Sequence, residues 1–140
     1  MTPFQAIQEV RSLIWVPLVK ALVKNVYPGE VALSEYDRAF NAKEKFVVVN
    51  FLTGDFEQLQ DVILNVNIYA PDLYGVMDGN GLDVVHNAIK PLLEDAYTSL
   101  INTKLGRINI LREEDKQYTF YNQRLLVQAV NLNQQQNIKL

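Results

Sequence analysis

Phe46–Leu73, FVVVNFLTGDFEQLQDVILNVNIYAPDL, decides the fold. It reads as two strands joined by a polar loop. Val62, Leu64, Val66 and Ile68 alternate with Asp61, Ile63, Asn65, Asn67 and Tyr69, the period-two pattern of a strand with one buried face and one wetter face. Phe46–Leu52 is apolar at nearly every position, which predicts a central strand covered on both faces. Thr53–Gln60 between them is a loop or one helical turn, too long for a two-residue hairpin connection. Helices elsewhere in the chain must then cover the apolar side of the sheet.

Upstream, Thr2-Pro3-Phe4-Gln5 carries the signals of a helix start: a capping Thr, a Pro at the first helical position and a Gln where a capping box needs it. Phe4, Ile7, Val10, Ile14, Leu18 and Ala21 follow at helical spacing. Pro17 must kink or split this helix, and Tyr27-Pro28-Gly29 ends it. Glu30–Tyr36 alternates loosely and predicts a short strand, and Asp37–Lys45 predicts a loop.

Downstream, residues 70–81 form a glycine-rich connection of the kind that docks partners. Asn80 is the expected cap of the next helix, which carries Leu82, Val85, Ile89, Leu92, Leu93, Ala96 and Leu100 on one stripe. Pro91 should bend it or reset its start, and Gly106 should end it. Arg107–Leu111 and Tyr118–Leu132 read as closing strands about an exposed turn at Glu113–Lys116. The fold class expected is α+β: a mainly antiparallel sheet of four to five strands with two principal helices packed on one face. Residues 1–132 are expected to form a single domain and 133–140 a flexible polar tail.

The 140 residues are 49% hydrophobic and 21% charged, with a net charge of −3, ordinary values for a globular chain. No basic run marks a nucleic-acid binder, and no apolar stretch reaches the length of a membrane span. There are no cysteines, which excludes disulfides, thiolate metal sites and cysteine nucleophiles. The start of the chain lacks the features of a secretory signal, so the protein is expected to act in the cytosol of the cell that makes it.

Candidate chemistry is sparse. Asp78-Gly79-Asn80-Gly81 fits the middle of a calcium loop, but that register puts Val76 first and Asn87 twelfth, where carboxylates belong; a glycine turn into a helix cap reads better. His86, the only histidine, stands three residues from Asp83, and no nucleophile is tied to the pair. Glu113, Glu114 and Asp115 read as a solvated turn, and Tyr118, Phe120 and Tyr121 as strand and core residues. No phosphate loop, dinucleotide fingerprint, nucleophile elbow or zinc-protease helix is present. If Val47, Val49 and Phe51 share the core face with the Val62 series, Asn50, Asn65 and Asn67 all point the other way, toward solvent or a polar contact surface for another subunit. Together with Asp72, Tyr74 and Asp78 of the following loop they are the candidate subunit or partner interface. No catalytic, metal or cofactor-binding residue is expected.

Read end to end, the chain resembles the small tail-terminator, or tail-to-head joining (tail-completion), proteins of tailed bacteriophages. The resemblance rests on several features in order. A first helix ends near Asn25, and Tyr27-Pro28-Gly29-Glu30-Val31 follows. The strands Phe46-Val47-Val48-Val49 and Asn65-Val66-Asn67-Ile68-Tyr69 come next. A helix from about Leu82 to Leu100 and the closing strands Ile108–Leu111 and Tyr118–Leu132 complete it. The resemblance implies a non-catalytic protein that forms a ring, commonly hexameric, on the completed tail tube and presents a surface to the head connector. It implies assembly in the cytoplasm of a bacterial host, then residence in the virion. Sheet edges and loops would make the contacts between neighbours, with loops 37–45 and 70–81 and the tail 131–140 the segments expected to order when a partner arrives. A small protein-binding module of a mobile element, acting as a dimer, is the alternative, and an enzyme built on Asp83 and His86 is the least favoured.

Overall fold

The computed structural model describes residues 1–55 and 61–130. The expected tail at 133–140 and most of the loop after Thr53 lie outside them. Helix α1 spans Pro3–Ile14, helix α2 Pro17–Lys20, strand β1 Val26–Pro28 and helix α3 Leu33–Asn41. Strands β2 (Phe46–Asp55) and β3 (Asp61–Pro71) follow, then helix α4 (Gly79–Leu93). Strands β4 (Ile101–Glu113) and β5 (Tyr118–Ala129) close the order about a short helical turn at Glu114–Lys116. One sheet of five strands runs β1-β2-β3-β5-β4. Among the described residues β1 and β2 pair in parallel, and the other pairs are antiparallel. The architecture is α+β, as expected.

The alternation read in β3 sets the layers. Val62, Leu64, Val66 and Ile68 join Val47, Val49, Leu125 and Val127 on one face, beneath Ala6, Ile7, Val10 and Ile14 of α1 and Leu82, Val85, Ile89 and Leu93 of α4. Thr2 forms the expected capping box: its hydroxyl accepts from the Gln5 N–H at 3.1 Å, and its own N–H donates to Gln5 Oε1 at 2.8 Å. Pro17 splits the first helix into α1 and α2. Phe4, expected on the buried stripe, lies outside it at 54% exposure, because Ala6 and Ile7 take the inward positions of the first turn.

Several elements differ from the reading of the sequence. The early strand is Val26–Pro28, and Glu30–Tyr36 is no strand; α3 begins at Leu33 and replaces most of the expected loop 37–45. The physical reason lies on the second face of the sheet. Phe46, Tyr69 and Phe120 stack there in series, with centroids 4.8 and 4.5 Å apart, and Tyr36, Ala39 and Phe40 of α3 cover them together with Tyr118. A helix therefore lies on each face, with α1 and α4 on one and α3 on the other. Helix α4 stops at Leu93, two residues after Pro91, so Ala96 and Leu100 leave the stripe. Asp78, not Asn80, caps it: Asp78 Oδ1 accepts from the Gly81 N–H at 3.0 Å. Gly106 ends no helix. It sits at a bulge within β4, where an added Cβ would lie 3.1 Å from Arg124 Cβ, so the two strands approach closely.

Candidate contact surfaces

The six residues singled out from the sequence fall into two groups on different parts of the molecule. Asp72, Tyr74 and Asp78 belong to the turn between β3 and α4. Leu73 and Val76 exchange both backbone hydrogen bonds, at 2.8 and 3.0 Å, so Tyr74 and Gly75 form the tip of a two-residue hairpin. Both tip residues have positive φ, 54° at Tyr74 and 76° at Gly75, as the tight turns that match strand twist require. Glycine takes that geometry freely, whereas tyrosine meets a Cβ–carbonyl clash costing roughly 1–2 kcal/mol.

The base of the turn is held firmly. The Asp72 side chain has no solvent exposure. Arg112 of β4 donates to its Oδ2 from Nη2 at 2.8 Å and Nε at 3.2 Å, and Thr119 donates to its Oδ1 at 2.8 Å. Arg112 Nη2 also donates to the Gly75 carbonyl at 2.8 Å, and the Asp72 N–H donates to the Gln117 carbonyl at 2.8 Å. Asp72 is thus a fastening, and Asp78 is a cap. The residues that face outward are Leu73, Tyr74, Val76 and Met77, an apolar knob with the Tyr74 side chain fully in solvent. Arg112 was not legible as its partner: the two are 40 residues apart, and the β3–β5 and β4–β5 pairings together bring them into contact.

Asn50, Asn65 and Asn67 do share the second face, beyond the part that α3 covers. Asn65 donates to Asn50 at 2.8 Å, and Asn122 of β5 donates to Asn65 at 3.0 Å and to Asn67 at 2.7 Å. Asn109 of β4 and Arg124 Nε both reach Asn122 Oδ1, at 3.5 and 3.3 Å. The result is an amide ladder across four strands. Asn67 and Asn122, at its centre, are buried, so much of its hydrogen-bonding capacity is spent within the sheet. Asn109 and Asn122 escaped the sequence reading because alternation gives each strand's faces but not which residues stand opposite.

Other candidates have structural partners. Asp83 accepts from the Tyr121 hydroxyl at 2.7 Å; this bond, with burial, pushes the phenol up to about 12. His86 Nε2 lies 3.1 Å from Gln123 Oε1. No group of three or more His, Asp or Glu side chains is placed to hold a metal ion among the described residues. Likewise, no helix among them is long and apolar enough to cross a membrane.

A groove of about 380 Å³ opens at the other end of the sheet, where β5 finishes. Met1 and Phe4 line one side, and Leu100, Ala129 and Val130 the other. Gln5, Gln8 and Glu9 add polar groups.

No family model matches the chain. No curated protein matches it either. Its fold is similar to that of a chain in the solved virion of a native gene transfer agent particle, with a TM-score of 0.50. The similarity covers 86% of this chain and 90% of that one at 11% sequence identity.

Proposed function

We propose that this chain is a structural protein of a phage-type particle, of the tail-terminator or head–tail joining kind, acting as a ring of identical subunits. The observation that carries this reading is the fold it shares, over nearly the full length of both chains, with a component of a gene transfer agent virion. The order of helices and strands that resembles the tail-terminator proteins supports the finer role. In this reading the protein works by contact alone. Asp83 and His86 serve the packing of α4 on β5, and the partners are further copies of the chain, the tail tube and the head connector.

Mass measurement in solution across a range of concentrations, with and without purified tail tubes, tests the proposal. The expected result is one discrete multiple of the subunit, alone or seated on the tube end. A dimer that never grows, or a subunit that ignores tail tubes, overturns it. His86→Ala is expected to assemble as the parent chain does.

A further inference from the structure

The knob and the groove lie at opposite ends of one rigid sheet. Strand β3 begins beside the groove end, where Asp61 pairs with Gln128, and finishes at Pro71, two residues before Leu73 of the knob. Its eleven residues set the two features roughly 35 Å apart at about 3.3 Å per residue. Because the Arg112–Asp72–Thr119 bonds fix the knob, it cannot fold back into the groove of its own chain.

The two features are chemical complements. Tyr74 offers an apolar ring with a hydroxyl at its end, flanked by Leu73, Val76 and Met77. The groove offers apolar walls in Phe4 and Leu100, 54% and 51% exposed, with the amides of Gln5 and Gln8 and the Glu9 carboxylate beside them. An aromatic residue buried with a partner for its hydroxyl is the kind of anchor that dominates interfaces. Both sides are ordered in advance by the fold, so little freedom is lost on docking. Backbone strain at an exposed tyrosine, where Asn or Gly would relieve it, points to a use for that ring.

We infer that the Tyr74 knob of one copy seats in the Phe4–Leu100 groove of the next. The contact joins two different patches, so it is heterologous and propagates head to tail, closing into a ring when the rotation allows. The inference rests on the ring reading and names the residues that make its joint.

The absence of cysteines makes a direct test available. A chain carrying both Tyr74→Cys and Gln8→Cys is expected to form a ladder of covalent oligomers under mild oxidation, with neither single variant passing the dimer. Absence of the ladder overturns the inference, as when the chain's own residues beyond Val130 occupy the groove. A second test uses Tyr74→Asp and Leu100→Asp, both at exposed side chains. Each alone is expected to self-associate about thirtyfold more weakly, while an equimolar mixture forms heterodimers and nothing larger. If the parent chain forms its discrete multiple and Tyr74→Asp forms it equally well, the joint is wrong while the ring stands. If the cysteine ladder forms but the parent never closes into a discrete multiple, the joint stands and the ring fails.

Discussion

Tyr74 and Arg112, which bonds the carbonyl of the adjacent Gly75, carry opposite energetic signs. Replacing Tyr74 by Asn creates Asn-Gly, the pair that tight hairpins with two positive φ values prefer. Tyr74→Asn is therefore expected to raise stability by about 0.5–1 kcal/mol in denaturant unfolding while weakening self-association. A loss of stability would show that the tyrosine ring serves the fold. Arg112→Ala does the reverse. It strands the Asp72 carboxylate, whose side chain is fully buried, with Thr119 the one side-chain donor left among the described residues. We expect a loss of about 2–3 kcal/mol, at the low end for a broken buried pair because Arg112 is itself 44% exposed. Lys at this position would restore charge but not the fork that spans Asp72 and Gly75, so Arg112→Lys should recover only part of the loss.

At the scale of elements, legibility followed the range of the interactions. The β2–β3 pair was readable because alternation in one segment reports its own buried face. Helix α3 was not, since its apolar positions Tyr36, Ala39 and Phe40 make sense only against a floor supplied by three strands, with Phe46, Tyr69 and Phe120 side by side. The amide ladder was half readable for the same reason: three of its asparagines lie in the decisive segment, and the other two arrive with β4 and β5. The floor beneath α3 also has a pH signature. Burial, the leading cause in each case, raises Tyr36, Tyr69 and Tyr118 above the ordinary phenol range. The folded state then keeps protons that the unfolded chain releases near pH ~10. Their contribution to stability is complete below that pH and is lost as the pH rises through the higher folded values. Circular dichroism and phenolate absorbance followed together should show unfolding and tyrosine ionisation coinciding above pH ~10. Full ionisation with the helix signal intact would contradict the packing described for α3.

For the whole molecule, the proposed self-association has two candidate surfaces, and salt distinguishes them. The knob and groove are mainly apolar. The β4–β5 side of the sheet instead presents Lys104, Arg107 and Arg124, none of which makes an ion pair among the described residues. A joint built on such unpaired cations would rely on acidic surface from a neighbour, and at about 1 M salt, where screening acts within roughly 3 Å, it would weaken sharply. A joint built on Tyr74, Phe4 and Leu100 follows apolar burial: sulfate should strengthen it and cooling should weaken it. The expected outcome is that the assembled mass survives a rise to about 1 M sodium chloride, gains population in sulfate and loses it toward 0 °C. Sedimentation velocity in those conditions gives the answer. Dissociation by sodium chloride would move the joint from the poles of the sheet to its basic side, because the uncharged knob forms no ion pair with the groove for salt to screen.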